Sequence, residues 1–103
     1  MEIISKVRHT VVTDDIKAYA EEKVGKHCHH YLGDGPAIVA EIEFDDINGP
    51  KGGLDKKVDL TITLPRQHLP IHLEQADATY QEAVDKLLDR LDKALVKYKE
   101  KLT

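Results

Sequence analysis

Two stretches of the chain alternate apolar and polar side chains with a period of two, and they constrain the fold more than any other feature. In Ala40-Glu41-Ile42-Glu43-Phe44-Asp45 the apolar residues take one side and the acids the other. In Val58-Asp59-Leu60-Thr61-Ile62-Thr63-Leu64 the aliphatic residues face one way and Asp and Thr the other. Successive side chains of a strand point to opposite faces, so each stretch reads as a strand with one buried and one wet face. One-sided strands imply a mostly antiparallel sheet, because parallel sheets are covered on both faces and read as continuous apolar runs.

The flanking segments change period. Residues 2 to 9 read as a short strand carrying Ile3, Ile4 and Val7. Thr13-Asp14-Asp15 is a helix start, with Thr13 as the cap and two acids at the positive end of the dipole. Ile16, Tyr19, Ala20, Val24 and Tyr31 recur at helical spacing, and Gly33-Asp34-Gly35-Pro36 ends the run. Residues 47 to 53 form a Gly-rich loop, Pro65-Arg66-Gln67-His68 a turn, and Ile71-His72-Leu73-Glu74 a short last strand. From about Ala78 to Leu102 the pattern is helical again, through Ala83, Val84, Leu87, Leu88, Leu91, Leu95, Tyr98 and Leu102. The order is β-α-β-β-β-α. Two helices with one apolar stripe each would cover the buried face of the sheet. The expected architecture is α+β, a double-stranded-RNA-binding-like sandwich with a four-stranded, mostly antiparallel sheet and both helices on one face.

At 103 residues the chain fits a single domain spanning 1–103, with enough material for one core. No apolar run approaches the ~20 residues of a membrane span, and the N-terminus lacks the features of a signal peptide. The lone Cys28 rules out an internal disulfide and suits a reducing, cytoplasmic setting. The net charge of −4 argues at first against nucleic acid. Residues 34 to 76, however, carry that entire excess, with eight acids against four bases, and the remainder balances at eleven each. Faces, not totals, decide the partner.

On a helical wheel for the last segment, Lys86, Arg90, Lys93, Lys97 and Lys101 share an arc of roughly 80° beside the apolar stripe. Glu82, Asp85, Asp89, Asp92 and Glu100 fall in the next arc. Pairs such as Glu82–Lys86 and Asp89–Lys93 also fit an ordinary solvated helix, at about 0.2–0.5 kcal/mol each. In the first helix Tyr19, Lys23, Lys26 and His30 flank the apolar stripe. Packed side by side, the helices are expected to join these flanks into one basic patch, while the open sheet shows Glu41, Glu43, Asp45, Asp59 and Glu74. Recognition of RNA on the sheet needs exposed aromatics for base stacking, and the only strand aromatic, Phe44, points inward. A helix-side, phosphate-contacting mode remains.

Other constellations carry less. His27-Cys28-His29-His30 suggests a metal, but consecutive helical positions diverge and nothing marks a fourth ligand, so no metal site is assigned. Cys28 lacks a base and an oxyanion site and reads as a structural thiol. Asp14-Asp15 and Asp45-Asp46 read as a helix start and a loop entry rather than acid–base pairs. Gly49 to Gly53 leads into a strand, not a helix, which argues against a phosphate cradle. No enzyme activity, small-molecule substrate or cofactor is expected.

With these elements in order, the whole chain resembles the short ribosome hibernation-promoting factors, the ribosome-associated inhibitor family also called sigma-54 modulation proteins. The resemblance rests on Arg8-His9 closing the first strand, Val11-Val12-Thr13 leading into the first helix, and Lys17, Lys23 and Lys26 along it. It rests also on Asp85-Lys86-Leu87-Leu88-Asp89-Arg90-Leu91-Asp92-Lys93-Ala94-Leu95 running into Lys97-Tyr98-Lys99-Glu100-Lys101-Leu102. Tyr80 stands five residues before Asp85 where the family usually has four, and Val7 stands where Gly is common. The resemblance implies binding to the small ribosomal subunit and the 70S ribosome in the decoding channel, over the mRNA and tRNA sites, under stress or in stationary phase. By it, Lys23, Lys26, Lys86, Arg90, Lys93, Lys97 and Lys101 would contact 16S rRNA, with Arg8 a weaker candidate. The chain would be monomeric off the ribosome. Lacking the C-terminal dimerisation domain of long members, it would pair ribosomes only with another protein. The alternative is a protein–protein adaptor using its acidic sheet face or a strand edge.

Overall fold

The computed structural model describes residues 1–33, 37–47, 55–65 and 69–102, with the backbone alone at 102. The segments the sequence reads as turns at 34–36 and 66–68 and as a loop at 48–54 lie outside these ranges, as does residue 103. The elements are β1 (Glu2–Arg8), α1 (Asp14–Leu32), β2 (Val39–Asp46), β3 (Lys56–Thr63), β4 (Ile71–Asp77) and α2 (Tyr80–Leu102). They build one four-stranded mixed sheet in the order β1-β2-β3-β4, with two helices. β1 and β2 are parallel, whereas β2–β3 and β3–β4 are antiparallel. The parallel pair follows from α1, a helical crossover that returns the chain to the end of the sheet where it began.

The alternation reads through into packing. Ala40, Ile42 and Phe44 of β2 and Val58, Leu60 and Ile62 of β3 are buried, facing Ala83, Val84, Leu87, Leu91 and Leu95 of α2 in one core. Ile3 and Ser5 are in register with Ala40 and Ile42, so they look toward the helices while Ile4 lies on the open face. α1 crosses close to that strand, and a Cβ on Gly25 would sit 3.3 Å from Ile3 Cδ1. From α1 the core takes Ala20, Val24 and Cys28. Cys28 was absent from the apolar stripe read in the sequence, and it fills the next turn after Val24.

Caps set the helix ends. Thr13 Oγ1 accepts from the Ile16 N–H at 3.3 Å, as the sequence anticipates. The chain leaves α1 at Gly33, whose φ of 72° favours glycine and whose N–H donates to the His29 carbonyl at 2.9 Å. α2 begins at Tyr80, two residues later than the periodicity suggested, because Thr79 Oγ1 accepts from the Glu82 N–H at 3.1 Å. Thr79-Tyr80-Gln81-Glu82 is a capping-box sequence that the apolar pattern alone conceals. β4 correspondingly runs beyond Glu74 to Asp77, keeping register with β3 down to Lys56.

Tyr80 ties three segments together. Its ring meets Phe44 edge-on, with centroids 5.6 Å apart and planes at 87°. Its hydroxyl donates to Thr10 Oγ1 at 2.9 Å and lies 3.2 Å from the Asp45 carbonyl oxygen. His9, just past β1, has a φ of 54°, a left-handed conformation in which His and Asn are enriched.

Candidate nucleic-acid interface

α2 buries its apolar stripe against β3, β4 and α1. The flank that meets α1 carries Asp85 and Asp92 from the acidic arc. Tyr19 Oη donates to Asp85 Oδ1, and that hydrogen bond holds the phenol above its usual pKa. One helical stretch further, His27 Nδ1 meets Asp92 Oδ1 at 2.6 Å. The bases on the facing flank of α1 thus adjoin acids rather than other bases, which avoids the repulsion that like charges in contact would produce. The expectation of one continuous basic patch is therefore corrected: Asp85 and Asp92 separate the two basic rows. The rows approach each other only toward the C-terminal ends of the helices. There Lys26, His27, His30, Tyr31 and Asp92 line one shallow depression and Tyr31, Asp92, Lys93, Val96, Lys97 and Glu100 an adjoining one.

The basic arc of α2 overhangs the edge strand β4, and its members differ. Lys86 Nζ lies 2.5 Å from Oδ2 of Asp77, a residue only 3% exposed. Lys86 and the Ala78 N–H hold the Asp77 carboxyl below the usual range, and Asp77 in turn raises the lysine. Arg90 donates to the Glu74 carbonyl oxygen at 2.5 Å and to Gln75 Oε1 at 3.3 Å, covering backbone on the sheet edge. Lys93, Lys97 and Lys101 are exposed and make no ion pair or hydrogen bond among the described residues. The wheel placed all five bases together. It gave no sign that two of them are engaged with β4.

The remaining sequence candidates are dispersed. Lys23 is half-buried, its Nζ 5.8 Å from the Tyr19 ring centroid. Lys26 pairs with Glu22 along its own helix at 3.5 Å. Arg8 lies on the open sheet face, 3.4 Å from Glu43.

That face carries the expected acids, yet it is not uniformly acidic. Lys6 sits 3.7 Å from Glu41, and Lys57 bridges Asp59 at 3.8 Å and Glu74 at 3.2 Å. The parallel pairing of β1 with β2 places Lys6 and Arg8 opposite Glu43 and Asp45, so bases from the edge strand interleave with the acids. His72, Asp59 and Glu74 form a further cluster there, which strand-by-strand reading missed because it depends on the β3–β4 register. Phe44 is 0% exposed, so this face has no strand aromatic on which bases could stack.

His27, Cys28 and His30 diverge as the helix dictates: His27 to Asp92, His30 edge-on to Tyr31, and Cys28 into the core. Burial, reinforced by Asp92, pushes the Cys28 thiol up to about 11, which leaves it neutral and a poor nucleophile near neutrality. Among the described residues no helix is long and apolar enough to cross a membrane.

Comparison with known proteins agrees with this architecture. The solved N-terminal domain of Thermus thermophilus Protein Y superposes with a TM-score of 0.73, at 22% identity over 95% of this chain and 99% of that one. A Coxiella burnetii ribosomal subunit interface protein gives a TM-score of 0.75, at 24% identity over 97% of this chain and 99% of that one. Among curated sequences, the ribosome hibernation promotion factor of Lactococcus lactis is 28% identical over 91 residues, covering 88% of this chain and 45% of that protein. The factor of the same name from Staphylococcus aureus is 24% identical over 91 residues, covering 88% and 44%. The chain thus spans about half the length of the curated relatives it matches. The family model for the sigma 54 modulation protein / S30EA ribosomal protein matches residues 3–103, and the chain belongs to that family.

Proposed function

We propose that residues 1–103 act as a single ribosome-binding domain that suppresses translation in the cytoplasm as a hibernation factor. The observation that carries this reading is the row Lys93, Lys97 and Lys101, spaced one turn apart on α2, exposed and without ion-pair or hydrogen-bond partners among the described residues. Such a row is a phosphate-contacting surface, and its length along a rigid helix suits shape readout of folded RNA. The double-stranded-RNA-binding-like character of the sandwich lies in this helix-side placement. Relatives named for ribosome hibernation support a ribosome as the partner; on this reading the surface met is the small subunit of the 70S particle, with 16S rRNA in the decoding channel. Lys86 and Arg90 would extend the row only by exchanging their bonds to β4, and Lys23, Lys26 and Arg8 would join at its margins. Occupancy of the mRNA and tRNA sites, rather than chemistry, would stop translation. No cofactor enters this mechanism.

The adaptor alternative draws on an acidic sheet face or a strand edge; Lys6, Arg8 and Lys57 interleave with the acids of that face, and Arg90 covers backbone on the β4 edge. Co-sedimentation with purified bacterial ribosomes at low and raised salt tests the proposal. Co-migration with the 30S or 70S particle, weakened by salt and abolished by Lys93→Glu with Lys97→Glu, is expected. Protein remaining at the top of the gradient at low salt would reject it.

A further inference from the structure

We propose that Asp59, His72 and Glu74 form a three-ligand site for a divalent transition-metal ion, zinc by preference, on the open face of the sheet. Three observations meet there. First, the antiparallel register sets Asp59 opposite Glu74 and Thr61 opposite His72, so the three ligands occupy adjacent and diagonal positions on one face. Their donor atoms all lie within 4.8 Å of one another. His72 Nε2 is 3.5 Å from Asp59 Oδ1 and 3.9 Å from Glu74 Oε2. Ligands on a tetrahedral zinc with bonds of ~2.1 Å stand about 3.4 Å apart, so small rotamer adjustments complete the set.

Second, the imidazole is oriented from behind. Thr61 Oγ1 bonds His72 Nδ1 at 2.9 Å. With the ring proton on Nδ1 and shared with Thr61, the Nε2 lone pair points at the two carboxylates. A hydrogen bond on the far nitrogen is the usual support for a metal-binding histidine.

Third, a cation already contacts both carboxylates. Lys57 Nζ reaches both Asp59 and Glu74, at 3.8 Å and 3.2 Å. The field there favours positive charge, and Lys57 is a flexible side chain that a divalent ion can displace into solvent. Imidazole selects zinc, nickel or copper over magnesium, and water would fill the open coordination position. Bound metal would staple the edge strand β4 to β3. This site lies on the opposite side of the sheet from Lys93, Lys97 and Lys101, so its failure would leave the ribosome-binding proposal untouched.

The test uses the tag-free chain titrated with zinc chloride and, separately, magnesium chloride, reading histidine ring nitrogens by heteronuclear NMR and Tm in parallel. Zinc should shift the His72 Nε2 resonance at one equivalent and raise Tm, and magnesium should do neither. His72→Ala should abolish both effects. Thr61→Val should weaken zinc binding about 10-fold. Lys57→Gln should tighten it several-fold, a gain that misfolding cannot imitate. A His72 ring unmoved by zinc, or zinc affinity retained in His72→Ala with shifts confined to residues 27–30, would overturn the site. A Lys57→Gln chain that binds zinc no more tightly than the parent would do the same.

Discussion

Lys86, Lys93 and Lys97 share one arc of α2 but differ in their partners, and glutamine at each position should separate binding from stability. Lys93 and Lys97 are exposed and unpaired among the described residues. Their double replacement sacrifices at most weak helix-surface pairs, about 0.5 kcal/mol or less. Its cost should fall on RNA. Each lost phosphate contact lowers the slope of log K against log salt by about 0.7 to 0.9. Two lost contacts then lower it by roughly 1.4 to 1.8, so between 50 and 200 mM salt the parent should lose about 7- to 12-fold more affinity than the double variant. Lys86→Gln should behave oppositely. It strands the Asp77 carboxylate, 3% exposed, without its cation, so Tm should fall. Because Lys86 depresses the Asp77 pKa, the pair stabilises the fold above the unfolded carboxylate's pKa, and this is lost as pH falls through the lower folded value. Lys86→Gln should flatten that acid limb. Ribosome co-sedimentation across a salt series, with thermal melts at pH 3 to 7, measures both effects. An unchanged salt slope in the Lys93/Lys97 variant would refute the phosphate-contact argument; an unchanged Tm in Lys86→Gln would refute the buried-carboxylate argument.

Leu91 is fully buried at the centre of α2, so Leu91→Ala should cost about 3 kcal/mol and lower Tm by roughly 12–24 °C in thermal denaturation. Tyr80→Phe keeps the ring against Phe44 but removes the hydroxyl bonds to Thr10 and Asp45, and urea titration should show a loss of about 1 kcal/mol. Cys28 should resist thiol reagents at pH 8 until the protein unfolds. Its folded pKa of about 11 against 9.0 unfolded means the unfolded state sheds its proton first, so stability declines as pH rises from 9 toward 11. That decline, at most about 2–3 kcal/mol, should be absent from Cys28→Ala.

Much of the architecture is local, and local physics is legible in a sequence. Period-two alternation in β2 and β3 marks their buried faces because side chains on a strand can point only two ways. The Thr13 cap and the Gly33 exit likewise follow from hydrogen bonds and backbone freedom within a few residues. The start of α2 is set locally too: the capping box at Thr79 fixes it, whereas apolar spacing alone points two residues earlier.

The candidate interface is another matter. A helical wheel sorts charges into arcs, but only the packed domain says which arc meets α1, and here it is the acidic one. The same wheel could not show that Lys86 reaches a buried Asp77 or that Arg90 covers β4, because both partners lie on β4 and are met only through the packing of α2 against that strand. The open face behaved alike: its acids were readable from alternation, whereas the bases neutralising them are brought in by strand pairing, Lys6 and Arg8 from β1 and Lys57 across the β3–β4 register. The sequence alone thus determined the elements, the buried faces and the family resemblance, all properties of short stretches. The tertiary structure decided which charges remain free to meet a partner, because an ion pair forms only when packing brings its two members within reach.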